Sequence, residues 1–318
     1  MKKRPNFFVV GVVKGGTTSL HHYLSSHPDI YLPPIKETNH FSKKDIRKEF
    51  FMNAYARDVD IDLDRYFRAG MPKPLHIAHV NRPDHYSELF SKVSNEISVG
   101  EISNSYMICP SAAKSIYDFN PHAKILMILR NPISRAWSQY LMNIREAKNT
   151  YNDFIEEVTA DDSSQPKGWG INHQYLELGK YAEQVSRYIE LFGRKNVLAI
   201  FYEEYRSNPK SVLSTICSFL GVNSDFNFDF SDKRNASSLP RNAVLNRFLV
   251  HSGVLNKLKR TIPGPVRRKI MPLLYSNANI PEITTSSEEW LQNYYLDDVR
   301  ALEELLATDV TKQWPQFK

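Results

Sequence analysis

Four short apolar runs recur along the chain and predict the strands of a buried sheet. Each has the length and the β-branched content of a parallel strand that is covered on both faces. They occupy residues 6–12, 97–101, 124–129 and 196–202.

Segments with helical character alternate with these strands. We predict helices over residues 17–26, 111–119, 132–145, 180–192 and 208–220. Asn131 and Asn208 each precede a proline, as an N-cap precedes a first-turn proline. Gly221 stands where a glycine ends a helix. The alternation predicts an α/β fold, a doubly wound parallel β-sheet flanked by helices, which binds ligands at the carboxyl ends of its strands.

Two stretches interrupt this alternation. Residues 42–95 are polar and rich in Lys, Arg, Asp and Tyr, and we expect them to form an excursion over the active face. Residues 149–173 are first acidic and then rich in Ser, Pro and Gly, which predicts a mobile loop. A length of 318 residues suits one large domain, so residues 1–318 are predicted to form a single domain.

The first predicted strand leads into a glycine-rich loop that resembles a Walker loop with a displaced lysine. Gly11 and Gly16 hold the two glycine positions, and Thr18 holds the hydroxyl position. Thr17 stands where the lysine should be, and Lys14 precedes it by three residues. Backbone N–H groups at the start of a helix still favour an anion, but no lysine follows Gly16 to hold a β/γ-phosphate pair. The loop therefore predicts a nucleotide other than ATP.

Positive charge is concentrated late in the chain. Ten of the 41 Lys and Arg residues lie between Asp232 and Glu282, where there is no acidic residue, so the rest of the chain carries 31 basic and 35 acidic side chains. We call residues 233–281 the acid-free stretch and predict that it faces anions.

The two cysteines, Cys109 and Cys217, indicate neither a disulfide framework nor metal-ligand spacing. The apolar run before Lys14 is too short for a signal peptide, and no stretch is long enough to span a bilayer. We therefore expect a reducing, cytoplasmic setting.

A second candidate segment follows the predicted strand 124–129. Arg130 leaves that strand at its carboxyl end, and Ser138 lies in the first two turns of the helix that follows. An arginine fork and a hydroxyl at a helix start suit a phosphate monoester.

Together, the two segments resemble the signature regions of sulfotransferases that use 3′-phosphoadenosine 5′-phosphosulfate (PAPS). The likeness extends through residues 35–41, 99–106, 178–184 and 218–222 and a last helix through Leu305. The chain is most similar to the bacterial branch related to the heparan sulfate N- and O-sulfotransferases. The resemblance implies a P-loop-like fold, PAPS as co-substrate, adenosine 3′,5′-bisphosphate (PAP) as product, and no metal.

The resemblance also implies roles for individual residues. Lys14 would lie at the oxygen that bridges phosphate and sulfuryl group, where negative charge grows as the S–O bond breaks. Arg130 and Ser138 would hold the 3′-phosphate, and Arg241 is the best match to a late basic segment that contacts the same phosphate. The donors to the 5′-phosphate would be Gly15, Gly16, Thr17, Thr18 and Ser19.

An acceptor must lose a proton as it attacks, so a base is needed. The resemblance places Glu37 in that role, with His40 as an auxiliary base or acceptor contact. Other branches of the family use a histidine, which keeps His76, His79 and His85 as alternatives. In the resemblance, heparan-active relatives have a lysine near position 102, where this chain has Ile102. This difference argues against a heparan-like acceptor.

These features predict sulfuryl transfer to a hydroxyl or amine of a carbohydrate or glycoconjugate such as a glycolipid. The alternatives are a P-loop nucleotide kinase or NTPase, and a non-catalytic basic module that binds anions. We expect no nucleic-acid partner. The acid-free stretch through Arg241 would cover the nucleotide. Its basic clusters around Pro263-Gly264-Pro265 would line the acceptor groove or rest on an anionic inner membrane surface.

Overall fold

The structure, a computed structural model, describes residues 4–231, 239–255, 264–276 and 280–318. Its strands over these residues are β1 (Phe7–Gly11), β2 (Ile30–Tyr31), β3 (Ile35–Glu37), β4 (Leu75–Ile77), β5 (Ser98–Ile102), β6 (Lys124–Leu129), β7 (Val197–Phe201), β8 (Leu239–Pro240) and β9 (Tyr275–Ser276).

Helices cover the strands and build the segments between them. They are α1 (Thr17–Ser26), α2 (Asn53–Val59), α3 (Leu63–Arg68), α4 (Pro83–Glu88), α5 (Ser105–Ile108), α6 (Pro110–Phe119), α7 (Pro132–Arg145), α8 (Phe154–Ser163), α9 (Tyr181–Phe192), α10 (Tyr202–Ser207), α11 (Pro209–Leu220), α12 (Ala243–His251), α13 (Gly264–Leu274) and α14 (Thr285–Leu306).

The central sheet has five strands in the order β2-β5-β1-β6-β7, and every neighbouring pair is parallel. All four strands predicted from the sequence belong to it, and the short β2 adds one edge. Successive residues of β1 face opposite sides: Phe7 and Val9 pack in one buried cluster, Phe8 and Val10 in the other. The prediction of a doubly wound parallel sheet in a single domain is confirmed.

Local signals set the helix ends as expected. The Asn131 side chain accepts from the N–H groups of Ile133 and Ser134, and Asn208 accepts from that of Ser211. Gly221 ends α11 with φ at 79°. Because the first turn of a helix lacks internal acceptors for its N–H groups, these asparagines satisfy donors that would otherwise be lost.

The prediction of a mobile loop over residues 149–173 is wrong in its first half, where α8 forms. Its acidic residues have structural partners instead of solvent alone. Asp153 caps the helix by accepting from Glu156 N–H, and the buried Glu157 accepts from the backbone of Thr150 and Tyr151. Acidic composition therefore hid a helix, because Asp153 and Glu157 accept from nearby backbone N–H groups.

The excursion over residues 42–95 contains α2, α3, β4 and α4. Its strand β4 pairs in parallel with β3, where Ile77 lies opposite Glu37.

No helix among the described residues is long and apolar enough to cross a membrane.

Gly100 in the middle of β5 is required by a close approach within the sheet. A Cβ at this position would lie 2.5 Å from the ring of its neighbour Phe7, which is buried on the adjacent strand. We expect Gly100→Ala to lower the free energy of unfolding by about 1–3 kcal/mol, the usual cost of overpacking. Urea denaturation of this variant and of Gly100→Ala in a Phe7→Leu background measures the effect. The cost should be smaller in the second background, and equal costs in both would contradict the clash.

Candidate active site

A cleft of about 1620 Å³ opens at the carboxyl ends of the central strands. Four of the five strands contribute a residue beyond their ends: Lys14 after β1, Asn104 after β5, Arg130 after β6 and Tyr202 after β7. Glu37 at the end of β3 lines the same cleft. The cleft therefore lies where a parallel sheet places ligand-binding loops.

The loop between β1 and α1 turns tightly before the helix begins. Lys14 has a φ of 67°, and Gly16 caps α1 with a φ of 88°. Gly15 donates its N–H to the carbonyl of Val12 at 2.9 Å, and a Cβ on Gly15 would lie 2.8 Å from the Ile128 carbonyl. Gly15 therefore serves the turn itself, and its N–H is not directed at a ligand.

The next N–H groups have a different arrangement. Within the described chain, no backbone acceptor pairs with the N–H groups of Gly16, Thr17, Thr18 or Ser19, and the first helical bond joins Leu20 N–H to Gly16. Unpaired donors at a helix start carry a partial positive charge and favour an anion.

The three hydroxyls of this turn have unequal roles. Thr17 is buried, and its Oγ1 lies 3.5 Å from Lys36 Nζ. Ser19 donates to the Gly16 carbonyl and accepts from Tyr205 OH at 3.2 Å. Thr18 is exposed in the cleft, so its hydroxyl is the most accessible of the three to a ligand.

Lys14 projects into the cleft among other cations. Its Nζ lies 3.6 Å from Met142 Sδ on α7, a weak acceptor. Burial, followed by repulsion from Arg145 and Arg130, lowers the pKa of Lys14 to about 8. An anion bound in this cleft would offset both effects and favour the charged ammonium.

Arg130 and Ser138 line the cleft beside this loop, as the sequence predicts. Arg130 donates from Nη1 to the Lys14 carbonyl at 2.9 Å, and its guanidinium carbon lies 4.6 Å from the ring centroid of Tyr202. Its Nε is buried and has no hydrogen-bond partner among the described residues. Burial lowers the pKa of Arg130, because removing a guanidinium from water disfavours its charged form.

Glu37 is buried and held from one side. Its Oε1 accepts from Lys36 Nζ and from Asn104 Nδ2, each at 2.8 Å. His76 Nε2 lies 3.9 Å from the same oxygen. No donor in the described part of the chain bonds the other oxygen, Oε2, which leaves that atom for a ligand.

The charges around the cleft are strongly unbalanced. Among the described residues that line it, Glu37 is the one carboxylate, against eight Lys and Arg side chains. The eight are Lys14, Lys36, Arg57, Arg130, Arg145, Lys148, Arg206 and Arg247. Such a cleft attracts polyanions.

Two of the residues singled out from the sequence do not reach the cleft. His40 is buried, bonds the Val80 carbonyl through Nδ1 and stacks on Tyr86, and burial lowers its pKa to about 4. Arg241 donates from Nε to the Pro272 carbonyl, beside the β8–β9 pair. The structure therefore assigns both side chains contacts outside the cleft.

Of the three alternative histidines, one lines the cleft and two do not. His76 lines the cleft, whereas His79 is buried and bonds Tyr55 OH. His85 stacks on Phe67 and lies 3.1 Å from Asp64.

Sequence reasoning missed several residues that line the cleft. Asn104, Tyr202 and Arg206 follow the carboxyl ends of β5 and β7, a position that could have marked them. Arg247 belongs to the acid-free stretch but carries no local sign of a cleft contact. The basic clusters predicted in that stretch lie outside the described residues: Lys257, Lys259 and Arg260 entirely, and Arg267, Arg268 and Lys269 in their side chains.

Comparison with known proteins gives consistent matches. A model described as the sulfotransferase family matches residues 5–226. The crystal structure of a sulfotransferase from Alicyclobacillus acidocaldarius is similar with a TM-score of 0.70 and 31% sequence identity, over 98% of this chain and 99% of that one.

Two curated mouse proteins are more distant relatives. Bifunctional heparan sulfate N-deacetylase/N-sulfotransferase 4 is 27% identical over 70% of this chain, and carbohydrate sulfotransferase 15 is 26% identical over 69%. The matched regions span 23% and 44% of those two proteins, so the likeness concerns less than half of each.

The lowered pKa of Lys14 is measurable by its reactivity. Only the neutral amine reacts with limiting acetic anhydride, so we expect acetylation of Lys14 to rise through a midpoint near pH 8. Peptide mass spectrometry across a pH series measures it. Arg145→Gln should move the midpoint upward because it removes a repelling charge, while Arg145→Lys should leave it in place. A midpoint near the usual lysine value of about 10.4 in the unaltered protein would contradict the electrostatic account.

Proposed function

The chain belongs to the sulfotransferase family, and we propose that it moves the sulfuryl group of PAPS to a hydroxyl or amine of an acceptor. The observation that carries the proposal is one continuous path of polar contacts in the cleft. Glu37 bonds Lys36, Lys36 reaches Thr17 in the anion-binding turn, and the same loop bonds Arg130 through the Lys14 carbonyl. A base, an anion cradle and a phosphate fork thus share one site.

The residues present fit an anionic nucleotide with two phosphate-bearing ends. The unpaired N–H groups from Gly16 to Ser19 suit the 5′ end, together with the Thr18 hydroxyl. Arg130, with its unpaired Nε, and Ser138 suit a phosphate monoester at the 3′ end. Gly15 and Arg241 are left out of this set because their contacts lie elsewhere.

Lys14 is proposed to stabilise the charge that develops at the bridging oxygen when the S–O bond breaks. Its left-handed backbone and its contact with Met142 aim the ammonium into the cleft before any ligand arrives. A donor that is already in place costs no reorganisation during the reaction. The crowding by Arg130 and Arg145 makes an anion at that point the natural partner of this ammonium.

Glu37 is proposed to accept the proton that the acceptor loses. Lys36 and Asn104 hold Oε1, so the carboxylate is fixed while Oε2 remains to receive the proton. Its position as the single carboxylate among the described residues of the cleft supports this choice over a distant acid. His76, 3.9 Å away, is the histidine that could share the role, whereas His40 is too far inside the core.

A carbohydrate or glycolipid acceptor is part of the proposal. The names of the relatives refer to heparan sulfate and to carbohydrate. In this chain, Trp169 donates to Tyr55 OH at 2.7 Å, and both aromatic side chains line the cleft as a surface on which a sugar ring can pack. Ile102 is buried in the core, near the position where the resemblance implies a lysine in heparan-active relatives.

The setting of the reaction also belongs to the proposal. We propose a bacterial, cytoplasmic enzyme without a nucleic-acid partner, in peripheral contact with the inner membrane surface. A nucleotide kinase or NTPase would need Mg²⁺, whereas the proposed reaction needs no metal.

Calorimetric titration of PAP in EDTA tests the cofactor assignment. We expect binding without Mg²⁺, a Kd raised about 10- to 100-fold in Arg130→Ala, and little change of Kd in Lys14→Ala. Turnover of labelled PAPS should instead fall about 10²- to 10³-fold in Lys14→Ala, because its charge matters most in the transition state. Binding that is lost in EDTA and restored by Mg²⁺ would favour the kinase or NTPase, and equal effects of both variants on affinity alone would refute the division of roles.

The base is tested by Glu37→Gln, which keeps an oxygen for Lys36 and Asn104 but cannot take up a proton at neutral pH. We expect PAP affinity to stay unchanged and turnover to fall about 100-fold or more, the scale of general-base catalysis. Transfer of the label from PAPS to a panel of carbohydrates and glycolipids measures the rate. His76→Asn is the matched control with a small expected effect. A near-normal rate in Glu37→Gln together with a large loss in His76→Asn would assign the base to His76.

A further inference from the structure

Helix α12 shows its apolar residues to solvent. Val244 is 81% exposed, Phe248 66% and Leu245 46%. Positions four residues apart share one face of a helix, so Val244 and Phe248 lie side by side, and Leu245 borders them. Large apolar side chains exposed as a group on a soluble domain mark an interaction surface.

The opposite side of the same helix makes the polar contacts. Asn246 is buried, donates to the Arg145 carbonyl at 3.0 Å and accepts from Tyr275 OH at 2.8 Å. The usual orientation of an amphipathic helix, with its apolar face toward the core, is therefore inverted. The helix is anchored to the domain by an amide, and its apolar face is exposed.

Helix α13 extends this surface. Leu273 is 73% exposed and borders the same small cavity as Leu245, between α12 and α13. We call Val244, Leu245, Phe248 and Leu273 the α12–α13 patch.

The charge around the patch identifies its partner. The patch lies within the acid-free stretch, which contains ten Lys and Arg residues and no Asp or Glu. Arg241 and Arg247, both exposed, stand beside the apolar residues. An apolar face bordered by cations is the pattern of a helix that lies in the interface of an anionic bilayer. A second copy of this chain would instead bring Arg241 and Arg247 against the same two cations, which opposes association.

We propose that the α12–α13 patch docks on the surface of an anionic lipid bilayer. Its apolar side chains enter the boundary between headgroups and acyl chains, and the flanking cations bind lipid phosphates. Arg247 and His251 of the same helix line the active-site cleft. Docking therefore places the cleft mouth at the membrane, and the acceptor is a group carried by a lipid headgroup. This last step rests on the proposed sulfuryl transfer, whereas the docking gives the proposed membrane contact its surface and does not depend on that reaction.

Vesicle sedimentation tests the docking with the complete chain. The probes are vesicles of phosphatidylcholine alone and of phosphatidylcholine with phosphatidylglycerol. We expect binding to the anionic vesicles, weakened on raising NaCl from about 0.05 to about 0.5 M, and little binding to the neutral ones. Val244→Ser/Phe248→Ser/Leu273→Ser should lower the partition coefficient at least tenfold.

The matched control is Ile97→Ser, which removes an apolar side chain that is 57% exposed just before β5, at the edge of the sheet opposite the cleft. It should bind vesicles as the unaltered protein does. The proposal would be overturned by any of three results. These are unchanged binding of the triple variant, an equal loss in the Ile97 control, and equal binding to neutral and anionic vesicles. A dimer in light scattering that becomes a monomer in the triple variant, without vesicle binding, would assign the patch to a second copy.

Two further measurements separate this proposal from the proposed function. PAP affinity of the triple variant should equal that of the unaltered protein, because no residue of the patch lines the cleft. If the unaltered protein binds vesicles but does not bind PAP, the proposed sulfuryl transfer alone is refuted. In the reverse case, intact PAP binding without vesicle binding would refute the docking alone.

Discussion

The parallel direction of the central strands is the constraint on which the site depends. Because all five strands run in the same direction, their carboxyl ends lie on the same side of the sheet, and each connection must return across it. Lys14, Asn104, Arg130 and Tyr202 come from four different strands and meet there for this reason. The close packing of β1 against β5, where Gly100 leaves room for Phe7, keeps two of these ends in register.

The second feature is an excess of positive charge in the cleft. Eight cations and one carboxylate line the cleft among the described residues, and both Lys14 and Arg130 bear the cost as lowered pKa values. A protein that holds unpaired cations in a partly buried site loses stability in its free state and gains affinity when an anion enters. Lys36 and Asn104 both donate to Oε1 of Glu37, so Oε2 has no donor among the described residues.

Helix α12 connects this site with the outer surface. Its amide Asn246 bonds the carbonyl of Arg145, the last residue of α7, and Arg145 is also one of the cations that repel Lys14. Arg247 and His251, which line the cleft, follow the exposed Val244 by three and seven residues, so the cleft contacts and the exposed apolar residues adjoin on this helix. Contacts made at the outer face act on an element that borders the site directly.

Residue spacing along the chain was enough to predict the features whose cause is local. The strand, the glycine turn and the start of α1 lie within residues 7–20, so Lys14 and the donor turn could be placed from spacing alone. Arg130 and Ser138 follow from one strand end and one capped helix in the same way. The acidic run before residue 163 misled because its carboxylates bind neighbouring backbone, which composition does not reveal.

Long-range packing determines which distant side chains join these two segments. Glu37 reaches the cleft because β3 pairs with β4, about 40 residues later, and because Asn104 arrives from β5. His40 is three residues beyond Glu37, but the chain turns at Asn39 with a φ of 52°, and the ring bonds Val80 inside the core. Arg247 rather than Arg241 faces the cleft because α12 is oriented by the bonds of Asn246. Side-chain direction after a turn and the docking of a late helix depend on long-range packing, which no local pattern of residues encodes.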